Sequence, residues 1–320
     1  MKWVLCAVWL LTGLLLTEIT TARPFPRRAH RILFLGNSIT YAGTYVADIE
    51  AYLLAKYPKL TYEFINVGLP SETVSGLSEP NHANGRFPRP DLHERLDRVL
   101  TQTRPDVVFA CYGMNDGIYL PLDESRFRAY REGMKWLHTE LKKAGARQIV
   151  FLTPPVHDDP QLGLNGYNRT LDRYSEWLLA QKDTLAWEVA DVHFPMVRFL
   201  ENKRQSDPSF KLAADGVHPG ELGHWLMARA VLGYLGEKVA DEPTAQAALE
   251  KVASAKNVRA DEIRRLVGQR QGVMKDAWLR ATGHKRPEMA VGKPMPEART
   301  LYNELERQIR AVRVAKKGRP

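Results

Sequence analysis

The chain is short of cysteine. It has two in 320 residues, Cys6 and Cys111, and Cys6 falls inside an apolar N-terminal run. Without that run Cys111 stands alone, so no internal disulfide frame exists and stability must come from an ordinary apolar core. Long apolar runs are equally scarce. After residues 3–16 no segment approaches the ~20 residues that a bilayer-spanning helix needs. The metal-binding spacing His-Glu-x-x-His is missing, and neither His82 nor the run His157-Asp158-Asp159 has zinc-like spacing of its own. These read as polar loop residues, and no metal or cofactor is expected. Aromatic residues are absent from the basic tail of Arg310, Arg313, Lys316, Lys317 and Arg319. A basic tail with nothing to stack on bases argues against nucleic acid, and the net charge of +9 reads as a solvated face. No internal repeat or low-complexity tract occurs.

What the chain does have begins with its first residues. Lys2, the apolar run 3–16 and the small stretch Thr20-Thr21-Ala22 form the charge, apolar and cleavage pattern of a secretory signal over residues 1–22. A secreted or periplasmic location follows, with no membrane span after cleavage. Short apolar or β-branched runs then recur at 31–35, 61–67, 106–111, 148–153 and 185–190, with helical spacing at 45–56, 92–103, 127–144 and 167–181. Strands alternating with helices specify an α/β fold, a flavodoxin-like three-layer sandwich around a five-stranded parallel sheet. A further helix opens at Pro219. Beyond Gly236 only charged amphipathic segments follow, at 244–255, 260–281 and 296–314. The expected division is therefore a hydrolase-sized domain over 30–237 and a helical extension over 238–320.

Four stretches fall at the carboxyl ends of the expected strands, where sites form in such sheets. They are Gly36-Asn37-Ser38, Asn66-Val67-Gly68, Gly113-Met114-Asn115-Asp116 and Asp215-Gly216-Val217-His218. Each has an ordinary reading. Asn37 or Ser38 could cap a helix beginning near Tyr41, and the Asn-Asp-Gly and Asp-Gly pairs are turn signals. Together they offer one candidate for each role in ester hydrolysis: nucleophile, base, a group orienting the base, and oxyanion donors.

These blocks, in this order, resemble those of the SGNH hydrolases, the GDSL-type esterase and lipase superfamily, from about Arg31 to Leu235. Asn37 replaces an aspartate common in the first block, and Ile39 its usual leucine. The resemblance implies Ser38 as nucleophile, His218 as base and Asp215 as its orienting partner. It implies an oxyanion hole from the Ser38 and Gly68 N–H groups and the Asn115 side chain, and no metal. The connections 69–90 and 154–166 are long and polar, poor material for a greasy acyl tunnel. They favour a short acyl group, acetyl foremost, on a saccharide ester. A fatty-acyl esterase, lysophospholipase or thioesterase is the alternative within enzymes. A non-catalytic envelope protein that binds carbohydrate is the alternative outside them, disfavoured because no role is missing.

Overall fold

The computed structural model describes residues 24–26, 29–57, 59–159, 166–254 and 258–314. The expected signal segment, residues 160–165 of the second polar loop and the end of the basic tail lie outside them. The sheet consists of β1 (Arg31–Gly36), β2 (Glu63–Asn66), β3 (Val107–Cys111), β4 (Gln148–Leu152) and β5 (Glu188–Ala190). Its order is β2-β1-β3-β4-β5, and every neighbouring pair is parallel. Both faces are covered, which is why the strands read as unbroken apolar runs. Alternate residues serve opposite cores. Ile32 and Phe34 face α2 (Thr44–Lys56), α6 (His193–Ser206) and α7 (Glu221–Tyr234), while Leu33 and Leu35 face α3 (Leu96–Thr103), α4 (Glu124–Lys143) and α5 (Asn168–Thr184). Phe34 stacks on Phe64 and Phe109, at centroid distances of 5.9 and 5.1 Å, joining three strands through one ring column.

Among the described residues the structure adds helices that the periodicity did not signal, the longest of them α6. Helix α6 carries Pro195 in its first turn, where a missing N–H costs nothing, and buries Met196 and Leu200. The segment read as one helix from Leu92 is instead a single helical turn at Leu92–Glu94 followed by α3. Strand β5 starts three residues later than the apolar run, because Ala186 takes a left-handed φ of 53° and Leu185 is exposed.

Helix α9 (Ala260–Thr282) packs against β2 and α2, with α8 (Ala245–Ser254) on α2 and α9, and α10 (Met295–Val314) on α9. Gln271 of α9 donates to the Phe64 carbonyl of β2 at 3.3 Å and to Glu50 at 2.7 Å. Arg270 pairs with Glu50 at 2.7 Å and Arg264 with Asp48 at 2.9 Å, so the polar side of α2 is buried under α9. Ile263, Leu266 and Val267 enter one core, and Met274, Ala277 and Trp278 the other. A sheet edge left open would pair with other chains, and α9 closes this one. A chain ending at Lys238 is therefore expected to aggregate or to melt far below the full-length protein. Equal melting temperatures by circular dichroism would show the extension to be dispensable for folding.

Candidate active site

The turn leaving β1 has room only for glycine at its first position. A Cβ on Gly36 would lie 2.3 Å from the Thr40 hydroxyl and 2.8 Å from the Cys111 carbonyl. The next residue, Asn37, accepts the Ile39 N–H at 3.1 Å and caps the short helix α1 (Ser38–Ala42). Capping and display thus coincide: Asn37 satisfies the helix start, and Ser38 at its first position is only half-buried. Its own N–H is one of the donors that a helix start leaves unpaired.

His218 arrives from the opposite end of the domain. Its Nε2 lies 2.8 Å from Ser38 Oγ, and its Nδ1 lies 2.6 Å from Asp215 Oδ2. The other Asp215 oxygen accepts the backbone N–H groups of Val217 and His218 at 2.9 and 2.8 Å, closing a tight turn. Burial raises the Asp215 pKa, but the hydrogen bonds from His218 and the backbone outweigh it and hold the carboxyl at about 2. The turn is anchored from below. Asp158, fully buried, accepts the N–H groups of Leu212 and, at 2.8 Å, Ala213, and its own N–H donates to the Gly216 carbonyl at 2.7 Å. Gly216 has φ 83°, and a Cβ there would sit 2.9 Å from that of Asp159. That explains the Asp-Gly pair.

Asn115 is held from both ends of its amide. Tyr119 Oη donates to its Oδ1 at 2.9 Å, and its Nδ2 donates to the Glu72 carbonyl at 3.1 Å, leaving one N–H. Two buried groups fix the surroundings: Asp116, named in its block but given no role from sequence, and Glu72, which the sequence did not signal. Asp116 accepts the N–H groups of Val74 and Ser75 at 2.9 Å each and of Gly113 at 2.8 Å, tying the β2 and β3 loops together. Glu72 forms a forked ion pair with Arg95 at 2.6 and 2.8 Å and accepts from Tyr112 Oη at 2.7 Å. Beside it Ser71 takes a left-handed φ of 68°. Substituting Asn115 by alanine is expected to lower kcat about 10²–10³-fold with a smaller change in KM, the scale for one oxyanion donor. An effect confined to KM would make it a ground-state contact.

Gly68 departs from its expected role. Its N–H donates to Asn66 Oδ1 at 2.9 Å, so that donor is spent within its own loop. What the glycine provides is room, since a Cβ would lie 2.4 Å from the Tyr41 nitrogen at α1. The histidines outside the site serve locally: His82 pairs with Glu79 at 3.3 Å, and His157 exchanges backbone hydrogen bonds with the Asn168 amide. Among the described residues no group of three or more His, Cys, Asp or Glu could hold a metal ion.

A serine hydroxyl, an imidazole and a carboxylate in series at the carboxyl edge of a parallel sheet is an arrangement able to perform acyl transfer. Residues 34–226 match the family model of the GDSL-like Lipase/Acylhydrolase family. The chain belongs to that family. It is a carboxylic ester hydrolase. It is 26% identical over 231 residues to an acetylxylan esterase of Geobacillus stearothermophilus, covering 64% of this chain and 94% of that one. The solved structure of that organism's acetylxylan esterase Axe2 superposes with a TM-score of 0.51 at 24% identity, covering 67% of this chain and 97% of the other. A gut microbial diltiazem-metabolizing enzyme, BT4096, gives a TM-score of 0.54 at 24% identity, over 68% of this chain and about half, 49%, of that one. These two structural likenesses show the fold. The family match ends within α7, so α8–α10 lie beyond it. No helix among the described residues is long and apolar enough to cross a membrane.

Proposed function

We propose that this esterase, exported by its N-terminal signal, removes short acyl groups, acetyl foremost, from a saccharide through Ser38, His218 and Asp215. The hydrolase domain is then 30–237, with 238–320 as its helical extension. The observation that carries the mechanism is the unbroken series Ser38 Oγ, His218 Nε2, His218 Nδ1 and Asp215 Oδ2, with steps of 2.8 and 2.6 Å.

His218 Nε2 takes the Ser38 proton as Oγ bonds to the ester carbonyl carbon, and the carbonyl π electrons move to oxygen. Asp215 accepts the other imidazole N–H, fixing the tautomer and stabilising the imidazolium. The oxyanion lies against the Ser38 N–H and the free N–H of Asn115, uncharged donors suited to a charge that exists only in the transition state. Collapse breaks the bond to the alcohol oxygen, which leaves with the proton from Nε2. Water, deprotonated by the same nitrogen, then cleaves the acyl-serine to carboxylate and restores the hydroxyl.

The substrate class rests on the acetylxylan esterase likeness and on a polar surround. Arg89 pairs with Glu79 at 2.6 Å and lies 5.3 Å from the Tyr119 ring, which also neighbours the Tyr167 and His157 rings at 5.2 and 5.7 Å. The test is a series of p-nitrophenyl esters together with acetylated xylo-oligosaccharides. A matching apolar groove would add ~0.8 kcal/mol per methylene, about fourfold in kcat/KM. We expect kcat/KM to be highest for acetyl, lower for butyryl and very low for octanoyl, with acetate released from the saccharide. A profile rising toward octanoyl would overturn the short-acyl reading.

A further inference from the structure

A cleft of about 420 Å³ lies between α9 and the segment joining α1 to α2. That volume is the size of a small-molecule site. One wall comes from the family domain, with Ala42, Gly43 and Asp48; the other comes from α9, with Arg265, Gly268, Gln271, Gly272 and Lys275. Its rim begins at Ala42, four residues and about 6 Å of helix from Ser38. Arg264 of α9 also bridges Asp48 to Glu221, three residues beyond His218, at 2.9 and 2.7 Å. The cleft therefore connects to both halves of the proposed catalytic pair, to Ser38 through α1 and to the start of α7 through Arg264, without being lined by either residue.

Three features of its lining bear on what it holds. Asp48 and Gln271 are 4% and 7% exposed, and each keeps one buried oxygen, Oδ2 and Oε1, without a hydrogen-bond partner. Unmet acceptors at low dielectric call for donors. The start of α2 supplies donors: its cap is Gly43, which makes no side-chain capping bond, and its first turn has no acidic residue. Lys275, its ammonium 3.8 Å from the centre of the Tyr41 ring, adds another. Gly268 and Gly272 lie one turn apart inside α9, and a Cβ on either would meet nothing within 4 Å. Glycine weakens a helix interior, and nothing in the fold requires it at these positions.

A phosphate or carboxylate would meet Arg265 and Lys275 as well as the helix donors, but it would leave the Asp48 and Gln271 oxygens unmet and lie beside the carboxylates of Asp48 and Asp261. A neutral sugar ring brings hydroxyls that both donate and accept, and C–H faces that lie against glycine and alanine. We infer that this cleft is a subsite for a neutral saccharide unit of the substrate, with one wall built by the C-terminal extension. The inference rests on the saccharide-ester reading above.

The experiment introduces Gly272→Leu and, separately, Gly268→Leu, which fill the cleft and improve helix propensity, so both variants should melt no lower than the parent. The readout is the ratio of kcat/KM on acetylated xylotetraose to that on p-nitrophenyl acetate. We expect it to fall at least tenfold, mainly through KM. Calorimetry should find unsubstituted xylotetraose binding to the Ser38→Ala protein and not to Ser38→Ala combined with Gly272→Leu. Unchanged ratios in both variants, with acetylated xylotetraose still hydrolysed, would overturn the subsite alone. Glucuronate binding there more tightly than xylotetraose would overturn the neutral-sugar assignment. A parent enzyme active on p-nitrophenyl acetate but inert on every acetylated saccharide would remove the saccharide reading, and the subsite with it.

Discussion

Replacing Ser38 with alanine is expected to lower kcat by about 10⁴-fold or more, the scale seen when a serine nucleophile is removed. The fold should not notice. The Ser38 hydroxyl bonds to His218 Nε2 at 2.8 Å at a half-buried helix start, and such substitutions usually stay within about 0.5 kcal/mol. The check is kcat on p-nitrophenyl acetate alongside a thermal melt. Activity near that of the parent, in protein free of contaminating esterase, would remove Ser38 from the mechanism.

Asp215→Asn is expected to be the next most damaging change, at roughly 10³-fold in kcat. A buried orienting aspartate is worth about 10⁴-fold in a comparable serine hydrolase. Asp215 is 56% exposed, so water shares its duty. The amide can present its N–H₂ to Nδ1, which then accepts and leaves Nε2 protonated, unable to take the serine proton. The pH dependence has a definite sign. With its folded pKa held at about 2, the Asp215 carboxylate contributes to the 215–218 turn fully above the ordinary carboxylate range near 4. That contribution is lost as pH falls from there through about 2. Between pH 5 and 8 Asp215 stays charged, so no activity change in that interval is its titration. An Asp215→Asn enzyme retaining more than about a third of the parent kcat would mean that the imidazole is oriented by something else.

The sheet was legible because parallel strands covered on both faces become unbroken apolar runs, as 32–35 and 149–152 are. The Ser38–His218 contact spans 180 residues, and the topology rule that places strand ends on one edge made it foreseeable. Gly68 was not legible in the same way. A glycine may be needed for its N–H or for its missing Cβ, and only the 2.4 Å distance to the Tyr41 nitrogen shows the second use. Charged residues were the other blind spot. Glu72 and Arg95 look like surface residues of a polar loop and a helix start, yet they form a buried pair behind the site. Likewise Asp48 and Glu50 read as the wet side of α2, because their partners Arg264 and Arg270 lie more than 200 residues away.

The most direct test of the mechanism is to treat the enzyme with an organophosphonate ester and locate the adduct by peptide mass spectrometry. The account predicts one phosphonyl group, on Ser38, appearing in step with loss of esterase activity and much more slowly in His218→Ala protein. Full inactivation with Ser38 unmodified, or full activity with Ser38 quantitatively modified, would contradict it.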